Sequence, residues 1–144
     1  MLVELPIVGN RLRGLIPQRD PIVMVSSLET YTQTTLLSSF LVEESCLFIH
    51  RGELAESGLI EHMAQSVALH TGYSYFLQDQ EAPVGYIGAI QRVEISKLPT
   101  LGKRIYSDVQ ILQEFMGVTL VEIITKLEGE IIANAQMKTV IAAK

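Results

Sequence analysis

The stretch SGLIEHMAQSVALHTGY, Ser57 to Tyr73, is apolar round most of a helical circumference, yet Glu61 and His62 stand side by side near its start. Leu59, Ile60, Met63, Ala64, Val67, Ala68 and Leu69 cover too much of the circumference for a surface helix. A helix apolar on most sides is a central one, wrapped by other elements. Its expected span is from about Gly58 to about Leu77, with Ser57 as the N-cap. Gly72 lowers helix propensity, so its presence predicts close packing against a neighbour. A carboxylate in such a dry element is expensive unless it is paired or neutralised. The two titratable groups therefore mark the start of this helix for closer reading.

The flanking sequence supplies the wrapping. Upstream, LIPQRDPIVMVSSL (Leu15–Leu28) opens with a turn bounded by Pro17 and Pro21, then runs into an expected strand at Ile22–Leu28. TQTTLLSSFLVEE (Thr32–Glu44) reads as a second strand, and Gly52 to Gly58 as an irregular loop. Downstream of the break QDQEAP come three or four strand-like runs, at 85–97, 103–115, 118–129 and 130–143. Ile105, Ser107, Val109 and Ile111 share one face of the second run. EFMGV and LEGE are hairpin-like turns with glycine available for positive φ, and KLPTLGK is a longer turn. The pattern is α+β: an antiparallel sheet curling round one long helix.

Bulk properties bound the function. With 144 residues the chain reads as one domain, 1–144, able to bury a real core. Hydrophobic residues make up 48% and charged ones 19%, so elements are buried on both faces or a surface is hidden in an oligomer. No run approaches the ~18 to 20 apolar residues that span a bilayer. MLVELPIVGNRLRG has no basic leader followed by a long apolar core, so no secretory signal is read. Cys46 is the only cysteine, which excludes an internal disulfide and fits a reducing, cytoplasmic compartment. A net charge of −5 argues against nucleic-acid binding. Arg11, Arg13, Arg19, Arg51, Lys97, Lys103 and Arg104 are either scattered solvated charge or a local patch for an acidic partner.

No CxxC, HExxH or dense acidic–histidine cluster offers a metal site, and VGYIGAI lacks the following helix that a phosphate loop needs. There is no GxSxG elbow, and Cys46 lies in an apolar run where an inert thiol is expected. His50, Glu61, His62, Gln65 and His70 remain. Glu61 and Gln65, four apart, share a helix face, whereas His62 points about 100° away, towards a turn or a partner chain. His50, eleven residues before Glu61, could fold back towards the helix start in this chain or another. Each has a plainer reading: Glu61 as a complement to the helix dipole, Gln65 as an ordinary polar position, His50 as a surface residue. The residues alone leave these alternatives open.

Combined, they resemble a family. GLIEHMAQSVALHTGY is similar to the central-helix signature of the hotdog-fold 3-hydroxyacyl-[acyl-carrier-protein] dehydratases, where a catalytic Glu precedes an Ala-Met-Ala-Gln-like run; here that run is Glu61-His62-Met63-Ala64-Gln65. LIPQRDPIVMVSSL resembles the opening Leu-Pro-His-Arg-x-Pro motif, AIQRVEISKLPTLGKRIYSDVQI the later strand–turn–strand, and EIIANAQMKTVI the final strand. The four blocks run in the family's order from about Leu15 to Ile141. Two departures stand out. The family's Gly-His-Phe-Pro-Gly segment is replaced by LFIHRGELAESGLIE, where His50 is the only histidine, and Gln18 stands where the opening motif has His. The shorter loop, with Gly58 close to Glu61, resembles the subfamily of aryl-polyene and related pigment pathways.

The resemblance implies a hotdog fold and dehydration of a 3-hydroxyacyl thioester to a trans-2-enoyl thioester, in fatty-acid or polyene biosynthesis. It assigns His50 as the base that removes the C2 proton and Glu61 as the acid for the departing hydroxyl. Gly58 and Leu59 would offer backbone N–H groups to the thioester oxygen, and Gln65 would orient Glu61. It implies no cofactor and no metal, the substrate being carried on the phosphopantetheine of an acyl carrier protein or on CoA. It also implies a homodimer or higher even oligomer, with His and Glu from different chains, or a heteromer with another dehydratase-like subunit. An acyl thioesterase on the same fold, and a non-catalytic subunit that binds acyl carrier protein, are the competing readings.

Overall fold

The computed structural model describes residues 4–142. In chain order the elements are β1 (Ile7–Val8), α1 (Gly9–Arg13), β2 (Ser27–Tyr31), β3 (Thr35–Leu41), β4 (Ile49–His50), β5 (Glu53–Leu54), α2 (Glu56–Leu77), β6 (Gly85–Ile95), β7 (Arg104–Phe115), β8 (Val118–Leu127) and β9 (Glu130–Ile141). Seven strands form one antiparallel sheet in the order β1-β2-β3-β7-β8-β9-β6, and β4 and β5 make a separate small hairpin. α2 lies against the sheet's inner face, so the α+β expectation holds.

The core explains why α2 is apolar all round. Its Leu59, Met63, Val67 and Leu69 are buried together with Ile105 and Val109 of β7, Val121 and Ile123 of β8, and Ala133, Ala135 and Met137 of β9. Each large apolar side chain so buried is worth ~1.5–3 kcal/mol relative to exposure. The alternation read in β7 is present: Ile105, Ser107 and Val109 face inward and Tyr106, Asp108 and Gln110 outward. The two turns read as hairpin-like have two residues each, both at positive φ, Met116 (52°) with Gly117 (79°) and Glu128 (52°) with Gly129 (81°). That geometry matches the twist of the flanking strands.

Three local expectations are corrected. α2 begins at Glu56 with Ala55 at the cap position, so Ser57 sits inside the first turn and makes no capping bond. The expected irregular loop at 52–58 contains β5 and the beginning of α2. The expected strand at Ile22–Leu28 starts only at Ser27, because the backbone N–H and C=O of Met24 bond side chains of α2 instead of a neighbouring strand. Gly72 is the close-packing glycine it was read to be: a Cβ there would lie 1.8 Å from the Leu15 carbonyl oxygen.

Candidate active site

Glu61, on the second turn of α2, is half-buried and lines a cavity of about 650 Å³. One wall is the helix face of Glu61, Ala64, Ala68 and Tyr75; others come from Gly14–Gln18 and from residues 81–87 leading into β6. Burial pushes the Glu61 carboxyl above the ordinary carboxylate range, while the Gln65 side chain pulls in the opposite direction. A carboxyl that keeps its proton more readily is suited to act as an acid.

Gln65 is fully buried and grips the segment before β2. Its Oε1 accepts from the Met24 N–H at 2.6 Å, and its Nε2 donates to the Ile22 carbonyl at 2.8 Å. His62, also fully buried, holds the other side of the same residue, with Nδ1 donating to the Met24 carbonyl at 2.7 Å. A carbonyl can only accept, so Nδ1 carries the proton and Nε2 accepts from the Ser107 hydroxyl at 2.9 Å. Ser107 in turn lies 2.7 Å from Thr125 Oγ1, and Phe40 stacks on the imidazole at a centroid distance of 5.8 Å. Burial holds the His62 pKa down to about 4, against a weaker raising effect of the Met24 carbonyl. His62 is thus a neutral core residue, not one facing a turn or a partner. The spacing that could have revealed it is His62–Gln65: three apart, they are neighbours on the helix surface.

The segment between α1 and β2 is held elsewhere too. Arg19 Nη1 lies within hydrogen-bond distance of three backbone carbonyls, Arg13 (3.0 Å), Ile16 (2.6 Å) and Gln18 (2.8 Å). Arg19 is therefore a structural cation and not a scattered surface charge. Arg13 pairs with Asp20 at 3.4 Å, Lys103 with Glu128 at 2.6 Å, and Arg104 donates to Ser39 at 2.9 Å. Among the described residues, Arg11, Arg51 and Lys97 enter no ion pair. Cys46 is half-buried with its Sγ 3.3 Å from Met24 Sδ. No three His, Cys, Asp or Glu side chains come together as a metal site among the described residues.

Gly58 is buried, and its lack of a side chain lets the β4–β5 region close on the helix start: a Cβ would lie 2.6 Å from both Phe48 Cβ and Leu54 Cδ1. Gly58 is the third residue of α2, where a backbone N–H has no acceptor within the helix. Leu59 differs. Its N–H donates to the Ala55 carbonyl at 3.0 Å and its side chain is wholly in the core, so it is no free donor for a substrate. His50 is exposed at the end of β4, beside the Arg51–Gly52 turn, and is not among the residues lining the Glu61 cavity. In the chain by itself Gln18 and Tyr86 line the cavity that holds Glu61, and His50 does not. His70 lines the same cavity further along α2, with Nε2 2.9 Å from the Thr32 carbonyl and its ring tilted over Tyr31; burial lowers its pKa.

This arrangement has known counterparts. The chain is 24% identical over 135 residues to the 3-hydroxyacyl-[acyl-carrier-protein] dehydratase FabZ of Vibrio cholerae, covering 90% of this chain and 88% of that one. Its backbone superposes on the dehydratase heterocomplex ApeI:P of Xenorhabdus doucetiae with a TM-score of 0.87 at 16% identity, over 99% of this chain and 94% of that chain. A hypothetical thioesterase of Streptococcus pneumoniae, solved with coenzyme A, matches with a TM-score of 0.66 at 10% identity, over 81% of this chain and 88% of that one. These likenesses identify the architecture as the hotdog fold. The family model of the ApeP-like dehydratases matches residues 10–143, and the chain belongs to that family.

Proposed function

We propose that the protein, folded as one hotdog domain, dehydrates a 3-hydroxyacyl thioester to the trans-2-enoyl thioester. The observation that carries this reading is Glu61, a carboxyl held half-buried in a chain-sized cavity, where burial favours its protonated form. Removal of the C2 proton by a base pushes enolate-like charge onto the thioester oxygen. The C3–O bond then breaks as the Glu61 proton passes to the departing oxygen, and water leaves. The Gly58 N–H, at the positive end of α2, is the donor proposed for the thioester oxygen. Gln65 fixes the helix against residues 22–24 and sets the orientation of Glu61.

His50 is the proposed base, and its place outside the cavity supports a site completed across an interface, with His50 of the partner subunit meeting Glu61. The Leu98–Gly102 turn bonds the β4–β5 hairpin through Leu54 N–H to Pro99 O (2.9 Å) and Leu101 N–H to Gly52 O (3.0 Å). Arg51 and Lys97 thereby flank the hairpin that carries His50, which fits docking of an acidic acyl carrier protein bearing the substrate on phosphopantetheine. The acyl group would need no further cofactor for this proton chemistry.

The test is turnover of a 3-hydroxyacyl carrier-protein substrate by the purified protein, read as 2-enoyl product. Glu61→Gln is expected to lower kcat by ~10²–10⁴-fold. Full activity in both Glu61→Gln and His50→Ala would overturn the assignment, and free acid plus thiol as products would indicate a thioesterase. The exposure of His50 favours one second reading, a subunit that works only in a heteromer; activity confined to a mixture with another dehydratase-like chain would establish it.

A further inference from the structure

Two side-chain polar atoms are enclosed without a hydrogen-bond partner among the described residues, Arg13 Nε and Gln18 Oε1. The first is explained by its charge partner, Asp20, at 3.4 Å. The second has no such explanation, and Gln18 lines the same cavity as Glu61. An enclosed acceptor left unpaired costs ~1–3 kcal/mol, so an unpaired one on a residue that lines the Glu61 cavity points to an absent donor.

The backbone round Gln18 is fixed from several directions. Arg19 gathers the carbonyls of residues 13, 16 and 18; Gln65 and His62 hold Ile22 and Met24; Gly72 packs directly on Leu15. Among the described residues the Gln18 amide oxygen has no partner. The last Gln18 torsion is broad and two-fold, so rotation about it turns the amide towards the cavity with no hydrogen bond to break. A fixed backbone carrying one unsatisfied, rotatable amide is the arrangement of a ligand contact and not of a packing residue.

We propose that Gln18 is a substrate-binding residue of this site, its Oε1 accepting a hydrogen bond from the C3 hydroxyl of the substrate. The inference rests on the reading of Glu61 as the acid. A hydroxyl has one donor hydrogen and two acceptor lone pairs. In the dehydration a lone pair of the hydroxyl oxygen takes the Glu61 proton, the C3–O bond breaks, and the C2 proton goes to the base. The original hydroxyl hydrogen stays on the oxygen throughout and needs an acceptor in the ground state, in the transition state and in the departing water. Gln18 Oε1 is that acceptor. It would also discriminate a 3-hydroxyacyl chain from one without the hydroxyl, which leaves the oxygen unpaired.

The experiment measures binding of 3-hydroxybutyryl-pantetheine and butyryl-pantetheine by calorimetry, in a Glu61→Gln background that halts turnover. Adding Gln18→Leu is expected to weaken the hydroxyacyl probe about tenfold and leave the butyryl probe unchanged. Its Tm is expected to equal or exceed that of the parent, because an unsatisfied buried acceptor is removed. Gln18→Met, matched in length, serves if the leucine variant does not fold. Equal weakening of both probes would place the contact on the pantetheine arm and overturn the proposal, as would no weakening of either or a lowered Tm with both affinities intact. Turnover that survives Glu61→Gln alone would instead overturn the reading of Glu61, so the two failures are separable.

Discussion

Glu61 and His62 are sequence neighbours whose pKa values move in opposite directions for one reason: burial disfavours the charged form of each. The consequences for stability differ in sign. The Glu61 carboxyl has a folded pKa above its unfolded one, so its favourable contribution is present at low pH and lost as pH rises through the folded value. Glu61→Gln, which lowers turnover, is therefore expected to leave Tm at pH 8 equal to or above that of the wild type, with the gap closing towards pH 4. A fall in Tm at pH 8 would mean that the carboxylate is stabilised by partners. His62 has a folded pKa of about 4 against 6.5 unfolded, so its contribution is complete above pH 6.5 and is lost as pH falls towards 4. The difference corresponds to about 3 kcal/mol across that window. Urea denaturation at pH 7 and pH 4 should show a smaller loss in His62→Leu than in the wild type, although the variant is weaker at pH 7 because Met24 O and Ser107 lose their partner. Sequence made Glu61 conspicuous through its place in an apolar helix. It hid His62, whose role depends on Met24 and Ser107, 38 and 45 residues away.

At the scale of elements, the contact between α2 and the segment before β2 carries both packing and site geometry. Gly72→Ala sets two effects against each other. Alanine gains ~1 kcal/mol of helix propensity, but its Cβ would lie 1.8 Å from a backbone oxygen of Leu15, which has no flexible end to move. The clash wins, and a net loss of ~1–3 kcal/mol is expected by chemical denaturation. Because Leu15 and Ile16 line the cavity, kcat/KM should fall with it; unchanged stability would show that the contact is looser than it stands here. The long elements were legible because their signals are periodic and local: the all-round apolar helix, the alternation of β7, and the Met116-Gly117 and Glu128-Gly129 turns. The segment at residues 22–25 has the β-branched and apolar composition of a strand, while its hydrogen bonds go to α2. β1 and α1 carry too few residues for any period to show. Gln18 lay in a motif whose expected residue was histidine, and its enclosure is a tertiary fact with no local signal.

At the scale of the molecule, the sheet ends on one side in β6, whose residues Gly85 to Arg92 are all exposed. They include Tyr86 (63%), Ile87 (40%) and Ile90 (44%). Its outer edge has no neighbour among the described residues. A long apolar edge left open templates pairing with another chain. The proposed site has the same need, since the cavity beside β6 holds Glu61 but not His50. A closed twofold dimer in which each site takes Glu61 from one chain and His50 from the partner subunit satisfies both. It makes a quantitative prediction. Glu61→Gln and His50→Ala homodimers should each be inactive. Unfolding and refolding them together in equal amounts gives half heterodimers, each with one intact site of two, so about a quarter of wild-type activity should return. If both residues act within one chain, the mixture stays inactive. Ile90→Arg on the β6 edge should lower both the mass seen by analytical ultracentrifugation and turnover. A variant that becomes monomeric yet retains full activity would show that one chain suffices.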